Sequence, residues 1–315
     1  MGIEKYAAKR AGCFMSYLDD FNHHRPLLFS IAYRMLGTVT DAEDMVQETF
    51  LRWQQTASET VRSAKTYLAT ITTRLCIDHL RSARVQREQY VGTWLPEPML
   101  TPQSDNSTDL MELADSLSIA FLTVLERLSP IERAVFLLRD VFDYDYDEIG
   151  HMVGKSPTNC RQILRRAKQH LADQRPRFPV SRPQQEQITA QFLDASSKGD
   201  LQDLLLLLAT DVTFFSDGGG QVIAAIKPIH GAMKVARMLL AIRRKWLANA
   251  HVVSRLVEIN GQPGIIQYLD GHIHSAITLE IVDGCIQSIY SVRNPEKLER
   301  IYREISLEES QKSDR

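Results

Sequence analysis

Cysteine is scarce in this chain and is not organised. Cys13, Cys76, Cys160 and Cys285 lie far apart, with no CxxC pair and no Cys/His ligand spacing. A disulfide framework and a zinc site are therefore both unsupported, and free thiols in a reducing cytoplasm are expected. Long apolar runs are also missing. The longest, Leu204–Ala209, is far too short to span a bilayer, and the opening MGIEKYAAKRAGCF lacks the unbroken apolar core of a secretory signal. No membrane partner is expected. A large net charge is absent too, the formal value being −2. That balance hides segregation. No lysine or arginine occurs between Arg87 and Arg127, where Glu97, Asp105, Asp109, Glu112, Asp115 and Glu126 stand. The basic residues concentrate in Arg74–Arg87 and Lys155–Arg177, two local footprints for nucleic acid.

What is present is a soluble globular composition, 44% hydrophobic and 24% charged, over 315 residues, enough for two or three domains. Its most informative stretch starts at Leu128. Ser129, Pro130 and Glu132 spell a capping box with proline at the first helical position. A short helix over Tyr146–Val153 should stop at Gly154, and a third should open on Ser156 and Pro157, followed by Thr158 and Asn159. Beyond that cap Arg161, Gln162, Arg165, Arg166 and Lys168 recur at helical spacing, with Ile163, Leu164, Ala167 and Leu171 on the inward side. The pattern predicts a helix-turn-helix whose last helix enters the major groove, where Arg and Gln pair with guanine and adenine edges. The competing reading is an ordinary surface helix with a solvated charged face.

A first helical block is expected from about Phe21, within residues 1–90. Thr40 and Glu43 suggest a capping box there, and Ala42, Met45, Val46, Thr49, Phe50 and Trp53 mark the apolar face of an amphipathic helix. Asp41, Asp44, Gln47 and Glu48 form the other face, either solvated or a docking surface. A further helix, KTYLATITTRLCIDHLRSARVQRE, becomes arginine-rich toward its end. Residues 91–108 read as a linker in which WLPEP docks on something, 109–174 as the helix-turn-helix block and 175–184 as a second, proline-rich linker. Residues 185–315 read as an α+β domain. Helices over about Gln185–Lys198 and LQDLLLLLA precede a strand VTFFSD ending in Gly218, Gly219 and Gly220, and a basic amphipathic helix spans about Ala232–Ala248. Four strand-like runs follow, punctuated by GQPG at Gly261–Gly264, Asp270–Gly271 and Asp283–Gly284, which predicts an antiparallel meander wrapped around a helix.

With both helical blocks in view, the chain resembles the extracytoplasmic-function (ECF) sigma factors of the sigma-70 family. TDAEDMVQETFLRW is similar to the family's polymerase-clamp-binding helix, YLATITTRLCIDHLRSAR to the helix that reads and melts the −10 element, and the helix-turn-helix to the fourth sigma domain, with Gly150, Gly154 and Cys160 on its small and apolar positions. WLPEP, DGGG at Asp217–Gly220 and NPEKL at Asn294–Leu298 resemble a subgroup carrying a fused C-terminal SnoaL-like domain of the nuclear transport factor 2-like fold. Gln221 stands where that subgroup usually has lysine, Arg74 where many relatives have asparagine, and Tyr67 where they have tryptophan.

The resemblance implies two all-α sigma domains and an α+β domain, with core RNA polymerase and promoter DNA as partners. Asp41, Asp44, Gln47 and Glu48 would bind polymerase, and Thr70, Arg74, Asp78, Arg81 and Arg84 the −10 element, with an Asp78 ion pair to Arg81 or Arg74 as the competing reading. Ser156–Asn159, Arg161, Gln162, Arg165, Arg166 and Lys168 would bind the −35 element, the last two through phosphate. Trp94, Leu95 and Pro96 with Asp217, Gly218, Gly219, Gly220, Asn294, Pro295 and Lys297 would form an interdomain regulatory contact in place of a separate anti-sigma factor. Asp217, His230, His251, His272, His274 and Tyr268 invite a catalytic reading of the last domain, but a metal on His272 and His274 would need ligands the spacing does not supply, and no P-loop GK[ST] follows the glycines. No enzyme activity and no cofactor are therefore expected. An enzyme or binder of an unidentified small molecule fused to the sigma core is the alternative.

Overall fold

The computed structural model describes residues 2–56, 61, 63–87, 90–101, 116–172, 180–247 and 251–313. Residues 102–108 of the first linker, residues 175–179 of the second and the side chains of Cys13 and Arg84 lie outside the described residues. The chain forms two compact units, Met1–Gln86 with Leu125–Asp173, and Arg87–Val124 with Gln174–Arg315.

The first unit is all α. Helices α1 (Gly2–Leu36), α2 (Val39–Gln54) and α3 (Ala64–Arg87) gather Phe21, Leu28, Val46, Trp53 and Leu68 into one core. The stripe read from the sequence is the buried one: Ala42, Val46, Thr49 and Trp53 face inward. A hydroxyl pair, Thr49 to Thr72 at 2.9 Å, ties α2 to α3 inside that core. Arg34 is 1% exposed, and burial lowers its pKa to about 10. Its guanidinium is solvated by the Ser30 hydroxyl and lies over the Phe142 ring at 5.6 Å.

A short α4 (Ile119–Leu125) precedes the helix-turn-helix, made by α5 (Pro130–Asp140), α6 (Tyr146–Val153) and α7 (Pro157–Ala172). Both halves of the Ser129–Glu132 capping box form, and Asp145 with Glu148 forms a second one that the sequence reading passed over. Gly154 ends α6 at φ +67°, and a Cβ on Gly150 would lie 2.7 Å from the Lys155 carbonyl oxygen, so the tight turn needs glycine at 150. Cys160, Ile163, Leu164, Ala167 and Leu171 are all buried. Each full-size aliphatic among them contributes about 1.5–3 kcal/mol.

The second unit is built on a six-stranded sheet of order β2-β1-β6-β5-β4-β3. Its strands are β1 (Leu208–Asp217), β2 (Ile229–His230), β3 (Val252–Ile259), β4 (Gln262–Leu269), β5 (His272–Val282) and β6 (Cys285–Val292). Alternation along each strand serves two cores. Phe214, Ile265, Ile277 and Ile289 face one with α8 (Arg182–Lys198), α9 (Leu201–Leu207) and α10 (Ala232–Ile242). Phe215, Ile266, Ala276 and Tyr290 face the other, closed by Leu298 and Ile301 of α11 (Pro295–Ser313), Ile119 of α4, and Leu95 of the linker.

Several expectations need correction. Helix α2 starts after Thr38, whose hydroxyl donates to Asp41, so Thr40 lies inside the helix and caps nothing. Ser181 stands at the N-cap position of α8 and Pro183 sits in its first turn, so the second linker ends before residue 182. The leucine-rich helix stops at Leu207 and Leu208 already belongs to β1. The hairpin at 260 turns on Asn260–Gly261, both at positive φ as a type I′ turn requires, and Gln262, Pro263 and Gly264 lie within β4. The four expected strand-like runs are β3 to β6 and form the antiparallel meander as read, and β1 extends that sheet by pairing with β6 in parallel. The linker segment 90–101 packs within the second unit, as the expectation that WLPEP docks required, and α4 up to Val124, read as part of the helix-turn-helix block, packs there too. Helix α10 ends at Ile242 and continues as a single π-helical turn, Arg243–Leu247.

Candidate DNA-reading surfaces and the linker dock

On α7 the buried stripe leaves Thr158, Arg161, Gln162, Arg165, Arg166 and Lys168 exposed, with Ser156 exposed before it and Pro157 and Asn159 half-buried. Ser156 accepts a hydrogen bond from the Asn159 amide at 3.3 Å, as the cap pattern requires. Two of the cations are held by neighbours. Arg161 stacks over the Tyr146 ring at 4.7 Å, and Lys168 pairs with Asp140 at 2.8 Å. Tyr146 opens α6 and, with Arg161, Leu164, Arg165, Lys168 and Gln169, lines a groove of about 490 Å³. The sequence reading missed Tyr146, because its role needs α6 folded back on α7.

Helix α3 carries the other predicted reader. Asp78 pairs with Arg81 at 3.1 Å, both exposed, so the local ion pair forms. Arg74 is engaged in this conformation: its Nε donates to the Met152 carbonyl at 2.9 Å and its Nη2 to the His151 carbonyl at 2.6 Å. Those carbonyls belong to the last turn of α6, where a helix leaves acceptors unpaired. Nearby, Thr66 donates to Glu148 at 3.2 Å and Lys65 lies over the Tyr144 ring at 5.6 Å. Burial pushes the Tyr144 phenol up to about 12. Thr70 is half-buried and donates to the Thr66 carbonyl. On α2, Asp44 and Gln47 are exposed, Asp41 lies 3.7 Å from His79, and Glu48 pairs with Arg52 at 3.0 Å.

WLPEP, DGGG and NPEKL meet around one carboxylate. Asp217 is fully buried at the end of β1. Its Oδ1 accepts from the Tyr90 hydroxyl at 2.5 Å and the Gly219 amide at 3.0 Å, and its Oδ2 from the Leu95 amide at 2.9 Å and Lys297 Nζ at 2.7 Å. Lys297 also donates to the Leu95 carbonyl at 2.5 Å and lies over the Trp94 ring at 4.3 Å. Asn294 donates to Tyr90 at 3.1 Å, and a Cβ on Gly219 would collide with its side chain at 2.5 Å. Pro96, Glu97 and Pro98 are buried, whereas Pro295 and Gly220 are exposed. Gln221 donates to Glu296 at 2.7 Å, so an uncharged amide makes a bond that a lysine would make as an ion pair. Burial, then the bond to Asp217, raises the Tyr90 pKa. Tyr90 had no sequence signal of its own.

The histidines of this unit do not converge. His274 accepts from Arg293 at 3.0 Å through Nε2, and His230 bonds Thr213 at 3.1 Å. Among the described residues no group of three metal-ligating side chains forms. Burial, then the Arg293 charge, lowers the His274 pKa. Between the folded and unfolded values the unfolded chain binds more protons, so stability is lost as pH falls below about 6.5. Denaturation midpoints at about pH 8 and pH 5 should differ less in His274→Gln than in the wild type, the remainder including His24, which burial lowers in the same direction. An equal pH dependence in both would assign it elsewhere.

Residues 21–85 match the Sigma-70 region 2 family and residues 118–171 the Sigma-70, region 4 family. The chain is 32% identical to the ECF RNA polymerase sigma factor SigJ of Mycobacterium tuberculosis, over 89% of this chain and 92% of that protein. The chain belongs to the ECF sigma factors of the sigma-70 family. The probable ECF sigma factor SigI of the same organism is also 32% identical, over 90% of this chain and 94% of its own length. The crystal structure of Mycobacterium tuberculosis SigJ superposes with a TM-score of 0.72 at 30% identity, covering 90% of this chain and 98% of that one. As an ECF sigma factor the protein works in transcription initiation, with core polymerase and promoter DNA as partners. Sequence reasoning placed the helix-turn-helix within residues 109–174, and the region 4 match narrows it to 118–171. Among the described residues no helix is long and apolar enough to cross a membrane.

Proposed function

We propose that this ECF sigma factor reads the −35 element with α7 and the −10 element with α3, docks on polymerase through the Asp41–Glu48 face, and is regulated by its own C-terminal domain. Arg161, Gln162 and Arg165 come first along the exposed side of α7 and read bases, while Arg166 and Lys168 contact phosphate. The observation that carries the regulatory part is the grip of Asp217 and Lys297 on Leu95. Leu95 lies between the two sigma regions, so the C-terminal domain holds the segment that joins them. A tethered contact of this kind works at millimolar effective concentration and needs no separate anti-sigma protein.

The test is transcription by core polymerase with the full chain and two truncations. Removing everything from about Pro183 is expected to reduce activity, and removing only the segment after Asn294, which takes Lys297 away from Asp217, to raise it. Equal transcription from all three proteins would sink the regulatory reading. For the −35 surface, Arg161→Ala and Gln162→Ala should each cost about 1–3 kcal/mol, with preference relaxed at one base pair. Lys168→Ala should weaken all sequences alike and flatten the salt dependence, and Asp140→Asn should strengthen binding by freeing Lys168 for phosphate. Unchanged footprints in all of them would end the assignment of α7.

A further inference from the structure

One aromatic ring beside the reading helix carries two arginines. Tyr146 opens α6 directly after its cap, Asp145, and is half-buried. Arg161 of α7 lies over its ring at 4.7 Å, and Arg139 of α5 lies over the same ring at 5.4 Å. The two cations differ in how else they are held. Arg139 also donates to the Tyr144 carbonyl at 2.9 Å and pairs with Asp143 at 3.3 Å, and Asp143 sits at φ +53° in the turn between α5 and α6. Arg161 is exposed, and among the described residues it makes no ion pair. Its neighbour one turn on is Arg165, also exposed, and like charges four residues apart on a helix repel. The Tyr146 ring is what holds Arg161.

We propose that Tyr146 is a positioning residue for −35 recognition, which fixes the Arg161 guanidinium in the pose that reads a base pair and so sets specificity there. The proposal rests on the base-reading role given to Arg161 above and adds the residue that aims it. An arginine on a helix surface has many rotamers, and its fork meets two acceptors of one base only when its plane and direction are set. An unheld guanidinium beside DNA reaches phosphate as readily, and phosphate carries no sequence information. Stacking on an aromatic face narrows the poses before DNA arrives, so less freedom is lost on binding. The anchorage runs from Arg161 through the ring to Arg139, Asp143 and the Tyr144 carbonyl. The aim of a side chain on α7 is thus referred to the turn between α5 and α6. Tyr146, Arg161 and Leu164 also line one groove, which leaves room beside the stacked guanidinium for a base edge.

Tyr146→Leu tests this, because leucine keeps apolar bulk at the start of α6 and offers no aromatic face to a cation. Holoenzyme made with the full chain is bound to a promoter and to variants carrying each single base substitution in the −35 element. Discrimination at the base pair that Arg161→Ala relaxes is expected to fall about two- to fivefold in Tyr146→Leu, the worth of one exposed stack. Binding to unrelated DNA and its salt dependence should stay unchanged. Tyr146→Phe, which keeps the ring and loses the hydroxyl, should discriminate as the wild type does. In an Arg161→Ala background Tyr146→Leu should change nothing further. A loss that persists in that background is structural and overturns the proposal. A uniform loss of affinity in Tyr146→Phe overturns it too, since the hydroxyl would then be touching phosphate itself. Wild-type discrimination in Tyr146→Leu, beside a relaxed base pair in Arg161→Ala, overturns it while leaving α7 as the −35 reader. Failure of the base-reading role is seen separately, as no relaxed base pair in Arg161→Ala, and takes the positioning role with it.

Discussion

Asp217→Ala is expected to release the linker from the C-terminal domain and to lower its stability by about 3–5 kcal/mol, the usual cost of leaving a buried charge without its partner. The carboxylate receives four donors, from Tyr90, Gly219, Leu95 and Lys297, and is wholly buried. Without it, Lys297 keeps only the Leu95 carbonyl and the faces of Trp94 and Tyr90. For a unit of this size that loss corresponds to roughly 6–20 °C in Tm. Lys297→Met should cost less, because Asp217 then retains three of its donors. The double variant should cost less than the sum of the two single changes, because each single change strands the other charge. Calorimetry together with hydrogen exchange at the Leu95 amide reads both effects. Wild-type melting with a protected Leu95 amide in Asp217→Ala would show that the dock is held by apolar packing alone.

Charge reversal on α2, Asp44→Lys with Glu48→Lys, is expected to abolish binding to core polymerase, a loss of at least a hundredfold, without unfolding the domain. Asp44 is exposed and Glu48 pairs with the solvent-facing Arg52, so neither supports the core. The apolar stripe on the opposite face, Ala42, Val46, Thr49 and Trp53, is complete without them. Like charges brought together across an interface cost several kcal/mol, which is the scale of the expected loss. The measurement is competition for core polymerase against the wild type, with circular dichroism as the control on folding. Competition at wild-type strength would mean that this face is merely solvated.

The helix-turn-helix was legible in the sequence because its signals are local. Ser129 with Glu132 and Ser156 before Pro157 are capping patterns complete within four residues, and the inward set Ile163, Leu164, Ala167 and Leu171 follows from helical period alone. The same locality explains the miss at Thr40. Two threonines lie two residues apart, at 38 and 40, and which of them caps depends on where the chain enters from α1. Turns were legible where a two-residue signal sufficed, as at Asp270–Gly271 and Asp283–Gly284, and were misplaced at 261–264, where Pro263 marks a strand start rather than a turn.

What the sequence determined by itself was therefore the identity of each module: the family, the helix-turn-helix and the presence of three marked motifs. What only the tertiary structure decided was who holds whom. That WLPEP seats on Asp217 and Lys297 required residues about 120 and 200 positions away to arrive at one buried point, which no periodicity encodes. That Arg74 is occupied by the end of α6, and that Asn260 ties residue 99 to residue 117, are likewise matters of unpaired backbone groups finding partners across the fold. Every buried amide and carbonyl must be satisfied, but chain folding alone chooses the residue that does it.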